Sequence, residues 1–155
     1  MSLTDEERRE LEELLPHYPD RRAAADSALR ALQRRRRWLS DESLADLGEF
    51  LGMSVAELDS LATFANMLFR KPVGRHVVLL CDSFACWSLG YDDLRDEVES
   101  QLGVGMGGTT PDGRFTLLPI VCLGACDRGP AMMVDADLHG PVEPGAVGDI
   151  LKEYA

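Results

Sequence analysis

A chain of 155 residues that is 45% hydrophobic and 28% charged has the size and balance of one globular domain or two small ones, which excludes a disordered tail, a fibrous repeat and a collagen. Its formal net charge of −11, from 27 acidic against 16 basic residues, argues against nucleic acid as the main partner, because phosphate contacts need positive surface. No apolar run approaches the roughly 18–20 residues of a membrane-spanning helix, and the acidic start MSLTDEERRELEELL is neither a secretion signal nor a presequence, so a cytoplasmic protein is expected.

Residues 1–70 read as helices separated by stop signals. Thr4 and Glu7 form a T-x-x-E capping box that opens a helix running to about Leu15, with Leu11, Leu14 and Leu15 on one face. Pro16 and Pro19 end it. Asp20 can cap a second helix over residues 21–36, striped by Ala24, Ala25, Leu29 and Leu32. Ser40 opens a third, with Leu44, Leu47 and Leu51 inward and Gly52 as its stop. Ser54 and Glu57 repeat the capping box, and a fourth helix carries Leu58, Leu61, Ala62 and Ala65 to about Phe69. Four short amphipathic helices with short links read as a small bundle.

The period changes at Pro72-Val73-Gly74. Residues 76–80 read as a buried strand, 91–102 as an acidic helix, 114–121 as a strand after a glycine-rich loop, and 131–134 as another strand. A weak strand is expected near 139–142. Pro144 then stands at the first turn of a last helix over residues 145–154. The order fits an α+β or thioredoxin-like layer. Charge follows the same division. Residues 1–70 hold 10 basic and 14 acidic side chains, residues 71–155 hold 6 and 13. The second part is the more acidic, and it holds all four cysteines.

Those cysteines are the sharpest chemical signal. They fall as Cys81-x4-Cys86 and Cys122-x3-Cys126, each pair in a loop after a predicted strand. Two such pairs on adjacent loops can bring four sulfurs around one centre. Structural disulfides do not fit a cytoplasmic chain. A four-cysteine zinc site usually uses C-x2-C knuckles. The looser spacings suit a [2Fe–2S] rhombus better, in which each of two irons takes two thiolates. Zinc stays open as the alternative. A dithiol redox site wants C-x-x-C and neither pair supplies it. His17, His76 and His139 are not grouped with either pair, which leaves them structural or surface residues.

Other motifs carry less. Residues 103–108, GVGMGG, match G-x-G-x-x-G. They follow a helix and lead into a strand, the reverse of a dinucleotide fingerprint, so a loop is the better reading. The arginine run 34–37 reads as a solvated helix end that suits the macrodipole, or as a patch for an acidic partner. Trp38 and Phe64 read as core residues.

Several segments together carry a resemblance. They are Ala62-Thr63-Phe64, Pro72-Val73-Gly74-Arg75-His76, the two cysteine pairs, Thr110-Pro111-Asp112-Gly113-Arg114-Phe115-Thr116-Leu117, and Cys122-Leu123-Gly124-Ala125-Cys126 followed by Gly129-Pro130. With them the chain resembles the 24-kDa-type (E) subunits of bacterial NADH:quinone oxidoreductase, respiratory complex I, within the thioredoxin-like [2Fe–2S] ferredoxin family. The resemblance implies a helical bundle over residues 1–70 that docks on a partner and a thioredoxin-like domain over 71–155. It implies one [2Fe–2S] cluster held by Cys81, Cys86, Cys122 and Cys126. It also implies a neighbouring F subunit carrying FMN and the NADH site, a large iron–sulfur G subunit, and a place in the peripheral arm on the cytoplasmic face of the membrane. The isolated chain would not oxidise NADH. Related subunits serve NAD-dependent formate dehydrogenases and NAD-reducing hydrogenases. Two positions depart from the family pattern: Ala65 stands where Tyr is usual, and Arg37 where Gly is usual.

Overall fold

The structure, a computed structural model, describes residues 2–154. The chain forms two compact units that meet in sequence at the Pro72–Val73 bond.

The first unit is all helix: α1 (Asp5–Leu14), α2 (Ala25–Arg36), α3 (Asp41–Leu51) and α4 (Val55–Phe64). Both capping boxes are present. Thr4 and Ser54 each accept the backbone N–H of the glutamate three residues on, and each glutamate accepts the cap's own N–H. Ser40 caps α3 by accepting the Ser43 N–H, and Gly52, at φ 70°, ends it, a conformation that costs a glycine little. Leu11, Leu29, Leu32, Leu44, Leu47 and Leu58 are fully buried in one core. Each contributes about 1.5–3 kcal/mol through its removal from water.

Three boundaries differ from the sequence expectation. The Asp20 carboxylate accepts the Ala23 N–H, but the segment tightens into a turn in which Ala25 N–H reaches Arg22 O, so α2 starts only at Ala25. After α1 the chain makes a single 3-10 turn, Leu15–His17. Helix α4 stops at Phe64 rather than near Phe69, because Ala65 is extended and Met67 is left-handed at φ 66°. The stretch beyond it is held by Gln33, whose amide donates to Met67 O (2.8 Å) and accepts from Phe69 N–H (2.7 Å). Phe64 is therefore not a core residue: it is 88% exposed.

The arginine run is neither free helix end nor open patch in its larger part. Arg34 and Arg35 pair with Glu10, Arg35 also with Glu6, and Arg36 with Glu7 and Asp46, which fastens α2 to α1 and α3.

The second unit holds β1 (His76–Cys81), a short α5 (Phe84–Ser88), α6 (Tyr91–Leu102), β2 (Phe115–Ile120), β3 (Met132–Val134), β4 (Asp137–His139) and α7 (Val147–Lys152). The four strands form one sheet in the order β2-β1-β3-β4. β1 and β2 are parallel, in register from His76↔Phe115 to Cys81↔Ile120. β3 runs antiparallel to β1, and β4 to β3. The central strand β1 is buried along nearly its whole length, as a continuous apolar run predicts. Val78, Leu80, Leu117, Met132 and Val134 pack with Leu94 and Val98 of α6 and Val147 and Leu151 of α7. The mixed α+β order expected from the sequence is present, with β4 at Asp137–His139 instead of just after it. The last helix is also shorter, a 3-10 turn at Pro144–Ala146 followed by α7. Helix α5 was not expected at all.

The glycine-rich segment behaves as a structural loop. Gly107 N–H donates to Leu117 O and Leu117 N–H to Gly108 O. The loop thus pairs along the outer edge of β2.

Candidate metal centre

All four cysteines lie at one end of the second unit's sheet. Strand β1 ends on Cys81, and its neighbour β2 ends on Ile120, two residues before Cys122. The parallel register brings these two exits side by side. Asp82 N–H donates to Ile120 O (2.8 Å) and Cys81 N–H to Ala131 O (3.1 Å), which pins the exit of β1 to both neighbours. Ser83 then caps α5, accepting the Cys86 N–H at 3.4 Å, so Cys86 sits in the first turn of a helix that opens at the end of β1. In the other loop Gly124 is left-handed at φ 74°, which turns its N–H back onto Cys122 Sγ at 3.2 Å. A 3-10 turn, Cys126–Arg128, follows.

The two pairs differ in exposure. Cys81 and Cys86 are 2% and 1% exposed and pack with Ala125, Ala131 and Leu123. Cys122 and Cys126 are exposed. Burial pushes the Cys81 thiol up, but hydrogen bonds from the Ser83 hydroxyl, the Leu123 N–H, Cys86 and the Ser83 N–H outweigh it and hold it below the usual range. Burial pushes the Cys86 thiol up, and its hydrogen bond with Cys81 adds to that. Cys126 is raised by its hydrogen bond with Cys122 and by that thiol's charge, then by burial and the more distant Cys81 and Cys86. Cys81 and Cys86 thus feel one another, and Cys126 feels the three other thiols. Among the described residues no three His, Cys, Asp or Glu side chains converge on one point as a single-ion site.

A family model described as "Thioredoxin-like [2Fe-2S] ferredoxin" matches residues 11–155. The chain belongs to this family.

Among the chain's relatives is the E subunit of the NADH-quinone oxidoreductase of Pseudomonas aeruginosa, 45% identical over 152 residues that span 98% of this chain and 92% of the relative. Its counterpart in Escherichia coli is 42% identical over the same shares. Among solved structures, the NAD+-reducing [NiFe]-hydrogenase in its air-oxidised state superposes with a TM-score of 0.69 at 21% identity. The match covers 81% of this chain but only 22% of the hydrogenase chain, and it is a likeness of fold.

Four cysteines in two pairs at neighbouring strand exits, one pair buried and one exposed, are a donor set that fits a two-iron rhombus, which takes two thiolates at each iron. The histidines stay apart from the site. His76 stands at the opposite end of β1 from Cys81. Its Nδ1 lies 2.6 Å from Asp135 Oδ2 and its ring packs against Phe115 and Tyr154. His139 Nε2 meets the Tyr154 hydroxyl at 3.1 Å, and burial together with Asp137 pushes that phenol up to about 12. His17 is exposed in the first unit.

Sequence reasoning missed the surroundings of the centre. Phe84, Trp87, Leu89 and Val121 are all exposed, and all are close in sequence to a cysteine. Phe84 and Trp87 lie with their ring centroids 6.2 Å apart, tilted by 35°. The signal was present as two aromatic residues flanking Cys86 in a segment too short to show a helical period.

Proposed function

We propose that this chain is the electron-carrying E subunit of an NADH:quinone oxidoreductase, with Cys81, Cys86, Cys122 and Cys126 holding one [2Fe–2S] cluster. When bound, such a cluster accepts and returns single electrons. Cys81 and Cys86 would hold the inner end in a water-poor pocket, and Cys122 and Cys126 the outer end at the surface. The Gly124 N–H would continue to donate to Cys122 Sγ. The exposed apolar side chains Phe84, Trp87, Leu89 and Val121 border the pairs and offer a dry seat for a partner protein. The partner in this reading is the F subunit, whose FMN would supply single electrons to this chain. The large G subunit lies alongside, in a peripheral arm on the cytoplasmic face of the membrane. No helix among the described residues is long and apolar enough to cross a membrane itself. The helical unit over residues 1–70 serves partner docking.

The observation that carries the reading is the arrangement of two cysteine pairs, one buried and one exposed, at neighbouring strand ends. The 45% identity to a complex I relative over nearly the full chain favours that setting over the hydrogenase and formate dehydrogenase ones. The test is iron and labile sulfide analysis with an EPR spectrum of the reduced protein, then co-expression with the F subunit. Two irons and two sulfides per chain, co-purification, and NADH oxidation by the pair but not by this chain alone are expected. Stoichiometric zinc without labile sulfide in protein purified anaerobically would overturn the reading.

A further inference from the structure

Ser83 stands between the two buried cysteines and touches both. Its Oγ accepts the Cys86 backbone N–H at 3.4 Å, and Cys81 Sγ lies 3.4 Å from the same oxygen. With Cys81 protonated, the thiol donates to Ser83. A cysteine that ligates iron is a thiolate and has no proton to give. The contact then survives in one sense only. The hydroxyl oxygen already receives the Cys86 N–H, and its single proton is left to point at Cys81 sulfur.

We propose that Ser83 is a positioning residue that sets the reduction potential of the bound cluster, by donating its hydroxyl proton to the ligand sulfur of Cys81. The inference rests on the reading that the four cysteines hold a [2Fe–2S] cluster. Four thiolates, two ferric ions and two sulfides sum to a charge of about −2 in the oxidised cluster, and one added electron makes it about −3. A donor aimed at a ligand sulfur stabilises the more negative state more strongly, so it raises the potential. The site is nearly dry on this side, since Cys81 and Cys86 are buried and Ser83 is half-buried. A low local dielectric increases the effect of one oriented hydroxyl. The electron itself comes from a reductant outside the chain, a flavin in the complex or a mediator dye in the titration.

The same hydroxyl caps α5, so the test must separate the cap from the donor. Dye-mediated titrations of the cluster-loaded full chain, followed by EPR, compare wild type with Ser83→Ala, Ser83→Gly and Ser83→Thr. Glycine is nearly as good a cap as serine, within a few tenths of a kcal/mol, but offers no hydroxyl. Threonine keeps the donor. The Ala and Gly variants are expected to retain iron and sulfide and to show a lower midpoint, equivalent to a reduction constant about three- to tenfold smaller. Ser83→Thr is expected to titrate like wild type. In proton ENDOR of the reduced cluster, an exchangeable coupling present in wild type and Ser83→Thr is expected to vanish in the other two. An unchanged midpoint in fully loaded Ala and Gly variants overturns the proposal. So does a Thr variant that falls as far as Ala, or loss of the cluster in both Ala and Gly, which would make the hydroxyl a requirement of assembly. A wild-type chain that carries no labile sulfide overturns the underlying cluster reading instead.

Discussion

Glu7 is 5% exposed and carries a charge, so its surroundings must hold that charge in place. Arg36 meets it with two parallel hydrogen bonds of 2.7 and 2.8 Å and reaches Asp46 with a third of 2.9 Å. Arg36, ahead of the opposing effect of burial, lowers the Glu7 carboxyl to about 2. A folded-state value below the unfolded one stabilises the fold above the unfolded pKa, and that stabilisation fades as pH falls through the folded value. The helical unit should therefore lose about 2–3 kcal/mol between roughly pH 4.5 and 2 on this account alone. Glu7→Gln should cost a similar amount at pH 7 and nearly nothing at pH 2, measured by urea melts followed by helical circular dichroism. A gap that persists at pH 2 would refute the ion-pair origin. Arg37 offers a second test. Its φ of 73° lies where a Cβ is strained, and this explains why the family pattern has glycine there. Arg37→Gly should be more stable than Arg37→Ala by about 1 kcal/mol in urea melts, since both lose the long side chain and only glycine adopts that φ without strain. The departure at Arg37 was legible in the sequence. Its meaning was not, because the sign of a φ angle is not written in composition or period.

At the scale of elements, helix starts were the most legible features. Thr4 with Glu7, Ser40, and Ser54 with Glu57 each announce a cap by residue type and spacing alone, and each is present in the structure. Helix ends were less so. α4 ends early through a hydrogen-bond partner far back in the chain: Gln33, on α2, gives the 67–69 segment an alternative to continuing the helix. Gln33→Ala would leave Met67 O and Phe69 N–H without that partner. It should destabilise the helical unit by about 1–3 kcal/mol, and it should raise hydrogen exchange at Phe69 before exchange in α3 changes. Equal rises throughout the unit would show that Gln33 acts globally and not as a local clamp. Helix α5 escaped notice because five residues are too few for a period. The order of the glycine loop at 103–108 along the chain, after a helix and before a strand, reads as a connection. That it shields the β2 edge, a surface that would otherwise invite another strand, needed the register of the pairing.

For the whole molecule, the mixed layer and the change at residues 72–73 were legible because strand-like and helix-like periods do not mix there. The pairing of four cysteines at neighbouring strand ends depended on β1 and β2 being parallel neighbours, a long-range fact that spacing only suggests. A cluster across Cys81, Cys86, Cys122 and Cys126 would tie the end of β1 to the loop after β2 within a unit of about 80 residues, a size at which cross-links weigh heavily. Cys122→Ala should then lower the melting temperature of the cluster-bearing unit by about 10 °C and leave the melt of the helical unit nearly unchanged. Hydrogen exchange read by mass spectrometry along a thermal ramp follows the units separately, through peptides of β1 and β2 for one and of α2 and α3 for the other. An unchanged melt of the sheet-containing unit would show that its core of Val78, Leu80, Leu117 and Met132 suffices alone.

The unequal burial of the two cysteine pairs also orders events in time. A reagent, an oxidant or an incoming iron atom meets Cys122 and Cys126 at the surface, and meets Cys81 and Cys86 only after the chain opens locally. In the metal-free protein, iodoacetamide should label two cysteines quickly and two slowly, and peptide mapping should find the fast pair at Cys122 and Cys126. Four equal rates would mean that the inner pocket is open before metal enters. Two classes of rate would mean that the exposed pair takes the first oxidative damage, while Cys81 and Cys86 are spared until the chain opens.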